Sequence, residues 1–175
     1  MRRYPHKLQT NLKYLDRNTI RKTAVCSIEN TVNFVEKLCQ HLMVRPDPDI
    51  VPIYSFKRLG TNHKTYKYQY DMQAMLMLTT EERQAIMACV DLWEENECYP
   101  SNWQSSKYKF DEMMLGWAQY PELMRFMDRL YKENRYHDIH DGNIMIDEQD
   151  NYRIIDLEGY IYHDLNDPMN DWFNK

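Results

Sequence analysis

The sequence lacks several features that would place it in a common class. Its 175 residues contain no run of about eighteen apolar residues, so we expect no membrane helix. A net charge of -5 argues against a nucleic-acid-binding surface. The basic amino terminus has no apolar run behind it, which favours a cytoplasmic protein. With no Gly/Ser-rich linker or repeat, the chain is expected to form one globular domain.

Cysteine and glycine are also scarce. The four cysteines include no Cys-x-x-Cys pair, and Cys26, Cys39 and Cys89 have apolar neighbours. We therefore expect reduced cysteines in the core and no disulfide framework. Only four glycines occur, and none precedes Gly60. A glycine-rich loop that cradles phosphates is thereby excluded from the first third of the chain.

The most informative segment is a polar hairpin near the end of the chain. Residues 143–146 and 152–155 are short Ile-rich stretches separated by polar turn residues, which predicts two paired strands. Asp138 lies five residues before Asn143, and Asp156 follows the second stretch. The hairpin should bring these three side chains together. Carboxylate and carboxamide oxygens suit magnesium, and a second carboxylate can accept a proton from a hydroxyl.

These residues resemble a known family. The run from Tyr136 to Asn143 resembles the catalytic loop of the protein-kinase-like superfamily, in which an Asp is followed by four residues and an Asn. Asp156-Leu157-Glu158-Gly159 resembles its magnesium-binding motif. The His140-Asp141-Gly142-Asn143 run is closer to aminoglycoside phosphotransferases and small phage protein kinases than to the eukaryotic loop. The resemblance implies these roles: Asp138 as catalytic base, His140 as a supporting basic residue, and Asn143 and Asp156 as magnesium ligands.

The first third of the chain predicts a hairpin and then a helix. Residues 12–15 and 19–25 are β-like and flank a polar turn. Because side chains alternate along a strand, Lys22 shares one face with its apolar neighbours at two-residue spacing and can point toward a phosphate. Ser27 is the candidate N-cap of an amphipathic helix that reaches about Met43.

The resemblance assigns partners to this strand and helix. In kinase-like folds a strand Lys is held against the nucleotide phosphates by a helix Glu. Lys22 and Glu36 are the candidates for this pair, with Arg21 and Glu29 as the fallback pair.

Two further strands and two helices are predicted. Residues 50–56 and 64–70 are strand-like, with a turn from Leu59 to His63 between them. By resemblance, residues 69–73 form the hinge beside adenine, where the backbone groups of Asp71 and Met72 would contact the base. The helices follow the hinge, with Thr80 as the N-cap of the first and Pro121 as the first residue of the second.

The resemblance implies a reduced, two-lobed α+β kinase-like fold. Residues 1–73 would form the N-lobe and residues 74–175 a truncated C-lobe, since only 16 residues follow Gly159 in the 175-residue chain. The glycine-rich flap over the phosphates is expected to be absent or replaced by residues 7–15. The peptide-binding helices of full protein kinases are expected to be missing.

The implied activity is ATP- and Mg²⁺-dependent transfer of the γ-phosphoryl group to a hydroxyl on a protein substrate. Two alternatives stay open: a pseudokinase-like binding or inhibitory module, and a small-molecule phosphotransferase. A zinc site built from His137, His140 and His163 is a weaker alternative, because zinc needs three or four convergent ligands. The sequence leaves the oligomeric state open.

Overall fold

The computed structural model describes residues 3–5, 11–62, 64–98, 116–133 and 138–160. These residues form an α+β structure with antiparallel sheets and three α-helices. No helix in these ranges has the length and apolar character that a membrane span requires. The elements in chain order are β1 (Leu12–Tyr14), β2 (Thr19–Cys26), α1 (Glu29–Val44), β3 (Ile53–Asn62), β4 (Thr65–Gln73), α2 (Thr80–Cys98), α3 (Pro121–Glu133), β5 (Ile144–Ile146), β6 (Tyr152–Ile154) and a 3-10 helix (Leu157–Tyr160).

The main sheet has four antiparallel strands in the order β1-β2-β4-β3. The predicted first hairpin is confirmed, with Leu12 opposite Lys22. Its turn is closed by a backbone bond from Leu15 N to Thr19 O of 3.0 Å. Asn18 N also donates to the Asp16 carboxylate at 2.7 Å, a local bond that competes with regular strand pairing. Lys22 is thereby placed in an inner strand of the sheet.

Strand β3 departs from the predicted boundaries because of two residues. Pro52 has no backbone N–H, and β3 begins just after it as an edge strand of this sheet. Gly60 was expected in a turn, but β3 continues to Asn62. Gly60 has a φ of +130° beside a register shift, so the strand accommodates it as a bulge. The predicted turn therefore began too early.

Helix α1 packs an apolar stripe against the sheet. Its buried residues recur at three- and four-residue steps, as expected, and they are Val32, Val35, Leu38, Cys39 and Leu42. The expected N-cap, Ser27, is wrong. Ile28 occupies the N-cap position in an extended conformation, without a side-chain cap. Glu29 in the first turn instead offers negative charge to the positive end of the helix.

The buried apolar side chains form two clusters. The first lies between the four-stranded sheet and α1 and includes Ile20, Leu38 and Met72. The second lies between α2, α3 and the β5–β6 hairpin and includes Ile86, Phe126 and other residues of those elements. The segment after β6 belongs to the first cluster through Ile155 and Leu157. The chain therefore crosses from the second core to the first between Ile154 and Ile155, just before Asp156.

The β5–β6 hairpin is held from both sides. Its strands pair as predicted, with Ile144 opposite Ile154. On one side Val51 N donates to Ile154 O at 2.9 Å. On the other, Leu76 N donates to Ile146 O at 2.8 Å. Both flanking segments adjoin the main sheet, so these backbone bonds fix the hairpin relative to it.

Helix α2 begins with a capping box, one residue earlier than predicted. Thr79 Oγ1 accepts from Glu82 N at 3.2 Å, and Glu82 accepts from Thr79 N at 2.8 Å. The Thr-x-x-Glu pattern satisfies two backbone donors at once, whereas Thr80 is an exposed first helical residue. The prediction of Thr80 as the N-cap was therefore wrong, although the signal for Thr79 stands in the sequence.

The two threonines give a direct stability test. We expect Thr79→Ala to lower the free energy of unfolding by about 1 kcal/mol, because it leaves an N-terminal N–H without its side-chain acceptor. Thr80→Ala, the matched control, should change it by only a few tenths of a kcal/mol, since Ala is a good helix former. Urea unfolding of both variants measures the difference. Equal losses would contradict the cap assignment.

Candidate active site

The site is built around a buried amine and a carboxylate that meet from distant parts of the sequence. Lys22 projects from β2 and is 5 % exposed. Its Nζ lies 2.8 Å from Asp156 Oδ1. Asp156 lies two residues after the end of β6, just beyond the point where the chain passes from one apolar core to the other. Two residues that the sequence assigned to phosphate and metal binding are thus in contact.

A second carboxylate completes this cluster. Glu158 Oε2 accepts from Lys22 Nζ at 2.7 Å. The same side chain accepts from Tyr68 OH at 2.7 Å and from Tyr70 OH at 3.1 Å. Glu158 N also donates to Asp156 Oδ1 at 3.1 Å, which closes a tight turn at the start of the 3-10 helix. Lys22 is therefore held between two carboxylates on one short segment.

The electrostatics of the cluster keep the amine charged. Burial alone would lower the pKa of Lys22, but the charges of Glu158 and Asp156 outweigh it and raise that pKa. Burial also acts to raise the pKa of Asp156, yet hydrogen bonding with Glu158 and the Lys22 charge lower it overall. The pKa of Glu158 is raised by burial and by its contact with Asp156, against the opposing effect of Lys22. Asp156 is thus the more persistent anion of the two carboxylates.

The predicted catalytic loop brings its polar side chains together. Asn143 is 5 % exposed, and its Nδ2 donates to Asp138 Oδ2 at 2.9 Å and to the Asp138 backbone oxygen at 3.0 Å. His140 Nε2 lies 3.7 Å from Asp138 Oδ2. Asp138 itself remains exposed, with 61 % of its side chain accessible. A carboxylate oriented by two neighbours and open to solvent can reach a substrate hydroxyl.

This loop lies beside Asp156 through the hairpin. Ile155 N donates to Asn143 O at 3.0 Å, so the residue before Asp156 is bonded to the end of the loop. The sequence argument for one hairpin presenting these side chains is confirmed in this respect. The beginning of the motif, at Tyr136 and His137, lies outside the described residues.

Gly142 permits the close packing of the loop. Its N–H donates to His140 Nδ1 at 3.0 Å. A Cβ at this position would meet His140 Cε1 at 2.8 Å, so the ring would have to move. From α2, Arg83 Nη1 bonds Asp141 Oδ2 at 2.9 Å and anchors the loop from outside. Each residue of the His140-Asp141-Gly142-Asn143 run therefore makes a contact, or a close approach, that holds the loop.

The predicted pair of Lys22 and Glu36 is wrong. Glu36 accepts from Arg58 Nε of β3 at 2.9 Å, and Arg58 Nη2 also bonds Asn33 Oδ1 at 2.7 Å. Because the guanidinium binds both residues of α1, the Glu36 carboxylate is directed toward β3. Glu158 occupies the position beside Lys22 instead.

The fallback pair is also wrong. Arg21 bonds Asp71 through Nε and Nη2 at 2.7 and 2.9 Å. Glu29 accepts a long bond of 3.5 Å from Tyr66 OH. Arg21 and Glu29 therefore serve separate contacts on the sheet and on α1. The Arg21 hydrogen bonds lower the pKa of Asp71 although burial opposes this.

The predicted adenine contacts at Asp71 and Met72 are corrected as well. Both residues lie inside β4, between β2 and β3. Asp71 has register partners in both neighbouring strands, and so does Met72. Backbone groups inside an inner strand are used for sheet pairing, so the connection to α2 begins only at residue 74. The expected hinge at residues 69–73 was placed too early because its strand is longer than predicted.

The donor set fits magnesium better than zinc. Within the described ranges, no group of three His, Cys, Asp or Glu side chains could hold a metal ion, while His137 and His163 of the zinc alternative lie outside those ranges. Asp156 offers a carboxylate. Asn143 uses its amide nitrogen on Asp138, so the carboxamide oxygen is the atom that it can offer to a cation. One carboxylate with one carboxamide suits magnesium, which usually takes its remaining oxygens from water and substrate phosphates.

Sequence reasoning missed Glu158, Tyr68 and Tyr70. The sequence analysis assigns no role to Glu158, yet only 24 % of its side chain is exposed and it bonds Lys22. Tyr68 and Tyr70 alternate along β4 and likewise receive no role from the sequence. The sequence shows only their two-residue spacing, whereas the pairing of β4 with the Lys22 strand, which puts Tyr70 opposite Lys22, is seen in the structure.

Comparisons of the chain with protein-family models, with curated proteins and with solved structures find no match. The kinase-like family therefore stays a prediction from motifs, and the function must be inferred from the cluster of Lys22, Asp156, Glu158 and the adjoining loop.

Proposed function

We propose that the protein is an ATP- and Mg²⁺-dependent phosphotransferase of the protein-kinase-like type, acting on a hydroxyl of a protein substrate. The observation that carries the proposal is the 2.8 Å contact between Lys22 Nζ and Asp156 Oδ1. A protonated amine beside a magnesium-type carboxylate is the arrangement that positions nucleotide phosphates in this superfamily. A contact between residues this far apart in sequence depends on the whole fold.

The proposed roles follow the contacts. Lys22 binds phosphate oxygens, while Asp156 and Asn143 would hold magnesium, which would neutralise charge developing on the phosphates. Asp138 orients the acceptor hydroxyl and takes its proton as the oxygen bonds to the γ-phosphorus. The bond between that phosphorus and the bridging oxygen breaks, and ADP leaves. His140, 3.7 Å from Asp138, contributes a polar group on the acceptor side.

The two apolar cores support a reduced two-lobed arrangement. One core combines the sheet that bears Lys22 with α1, and the other combines α2, α3 and the hairpin. The cluster of Lys22 and Asp156 lies where the chain passes between them. A site between two packed units suits a nucleotide, because ligands commonly bind in clefts at such boundaries.

Ligand-dependent unfolding tests the site. We expect ATP with magnesium, at a hundredfold excess over Kd, to stabilise the wild-type protein by about 2.7 kcal/mol. Asp156→Asn should lose this ligand-dependent increment, because it removes the only negative charge of the two proposed magnesium ligands. Thermal unfolding with ATP, magnesium, both or neither measures the effect.

Asp49→Asn is the matched control for this experiment. Asp49 is ion-paired like Asp156, since it bonds Arg129 Nη2 at 2.6 Å, but it is buried outside the Lys22 cluster. Its variant should lose basal stability and keep the ligand increment. An equal increment in Asp156→Asn and the wild type, or none in the wild type, would contradict the proposed site.

A binding module without catalysis is the second candidate. It is favoured by the absence of glycine before Gly60, because the β1–β2 turn then has no glycine-rich backbone to enclose phosphates. The two candidates differ in turnover. Release of ADP from ATP that is lost in Asp138→Asn would exclude the binding module. Phosphoryl transfer to a small hydroxyl compound instead of a protein would change only the acceptor in the proposal.

A further inference from the structure

Glu158 is built into the sheet side of the candidate site. Its carboxylate receives three hydrogen bonds, from the Lys22 amine and from the hydroxyls of Tyr68 and Tyr70. Three donors from two adjacent strands leave this side chain little rotational freedom. A solvated surface carboxylate would be hydrogen-bonded mainly to water instead of to three side chains.

The donors lie on one face of the sheet. Lys22 of β2 is opposite Tyr70 of β4, and Ala24 of β2 is opposite Tyr68. Because side chains alternate, Tyr68 and Tyr70 point to the same side as Lys22. The Lys22 amine also lies 5.8 Å from the centre of the Tyr70 ring. The sheet thus forms a platform on which the amine and the carboxylate meet.

Both tyrosines remain hydrogen-bond donors at neutral pH. Burial and the charge of Glu158 raise the pKa of the Tyr68 hydroxyl. The same two causes raise the pKa of Tyr70 well above its ordinary value. Tyr70 OH also accepts from Leu157 N at 3.4 Å, so it links the platform to the turn that carries Asp156 and Glu158.

Helix α1 offers no equivalent carboxylate to Lys22. The side chain of Glu36 is 30 % exposed and ion-paired with Arg58 on the edge strand β3. Arg58 also holds Asn33 of the same helix. The helix is therefore fastened to the outer strand, while Lys22 is fastened to the segment after β6.

We propose that Glu158 is the positioning residue that directs Lys22 toward the nucleotide phosphates, in place of a carboxylate from α1. The proposal rests on the function proposed above and adds a residue to it. It places the positioning carboxylate two residues from the magnesium-binding Asp156, on one rigid turn.

Four variants test the proposal: Glu158→Gln, Glu36→Gln, Lys22→Met and the double variant Lys22→Met/Glu158→Gln. Glu158→Gln should lower kcat for phosphoryl transfer about 10- to 100-fold with a smaller change in the KM for ATP, because Lys22 acts on charge that develops in the transition state. Glu36→Gln makes the same chemical change on α1 and should stay within about twofold of wild type. A loss in Glu36→Gln as large as in Glu158→Gln would overturn the proposal.

The double variant separates positioning from general support of the fold. If Glu158 acts through Lys22, the double variant should be no slower than Lys22→Met, within about threefold. Losses that simply multiply would show that Glu158 acts independently, and would overturn the positioning role. Glu158→Asp, which keeps the charge on a shorter side chain, should recover part of the lost kcat.

A double-mutant cycle of Lys22→Met and Glu158→Gln, measured by urea unfolding, tests the contact between the two side chains in the absence of ATP. We expect a coupling of about tenfold or more in the unfolding constant between Lys22 and Glu158. Absence of coupling would overturn the positioning role, whatever the activity. A different result is coupling between the two residues in a protein whose wild type transfers no phosphoryl group. That result would overturn the proposed function and, with it, the role of Glu158 in phosphoryl transfer.

Discussion

Asp138→Asn is expected to slow phosphoryl transfer by about 10²- to 10⁴-fold, the usual contribution of a positioned general base. The substitution preserves the shape of the side chain and an oxygen that can accept from Asn143 Nδ2, 2.9 Å away in the wild type. It removes only the carboxylate that takes the hydroxyl proton. The rate of label transfer from γ-labelled ATP, under single-turnover conditions, measures the effect.

The same variant should still bind ATP and magnesium. Asp138 is exposed and its proposed role begins after the nucleotide is bound, so the ligand-dependent stabilisation should match wild type within experimental error. Asp150→Asn is the matched control, because Asp150 is an exposed carboxylate with a φ of 63° that Asn tolerates well. A rate for Asp138→Asn within about threefold of the control would remove Asp138 from the mechanism.

Local sequence patterns predicted much of the architecture correctly. The first hairpin follows from the polar turn after Tyr14, where Asn18 N bonds the Asp16 side chain. Helix α1 follows from its three- and four-residue apolar spacing. The β5–β6 hairpin follows from two Ile-rich stretches around a polar turn. Each of these signals lies within a few residues, so the sequence displays it directly.

Element ends were predicted less well, because small shifts depend on individual bonds. Ser27 and Thr80 are each one residue away from the true N-cap position. The capping box at Thr79 and Glu82 involves both partners, and only the pair distinguishes two adjacent threonines. Gly60 was expected in the turn between two strands, but the edge strand accommodates it as a bulge.

The partners of the charged side chains could not be predicted from the sequence. Lys22 and Asp156 were assigned by resemblance, and their contact depends on how two apolar cores meet. Glu36 was the expected partner of Lys22, but the Glu36 carboxylate is bound by Arg58 of β3. Which ion pairs form depends on which charged side chains the packed elements bring within a few ångströms of each other. Sequence spacing along a single element carries no such information.

Asp147→Ala is expected to destabilise the protein by about 3 to 5 kcal/mol, because it breaks a buried ion pair and leaves several donors without an acceptor. Asp147 is 2 % exposed. Its carboxylate accepts from Asn151 N and Gln149 N, both at 2.9 Å, and from Arg153 Nη2 at 3.0 Å. Urea unfolding measures the loss, and Gln149→Ala, at an exposed residue of the same turn, should cost less than about 0.5 kcal/mol.

The pH dependence identifies the charge as the cause. Burial acts to raise the pKa of Asp147, but the bonds from Asn151 and Arg153 outweigh it and lower that pKa below the ordinary value of 3.8. A carboxyl with a lowered pKa stabilises the fold above its unfolded pKa and loses this contribution as the pH falls through the folded pKa. The stability difference between wild type and Asp147→Asn should therefore be constant from pH 7 to about pH 5 and shrink below 3.8.

A difference that persists unchanged into strong acid would mean that shape, and not charge, holds the turn.

The Asp147 ion pair also bears on the candidate active site. Asp147 lies directly after β5, and Arg153 inside β6 also donates to Pro48 O at 2.7 Å. The ion pair therefore holds the two strands together near the turn, while Asn143 and Asp156 both lie at the open end of the same hairpin. Since both proposed magnesium ligands depend on this hairpin, Asp147→Ala should weaken the ATP- and magnesium-dependent stabilisation even at temperatures where the variant remains folded.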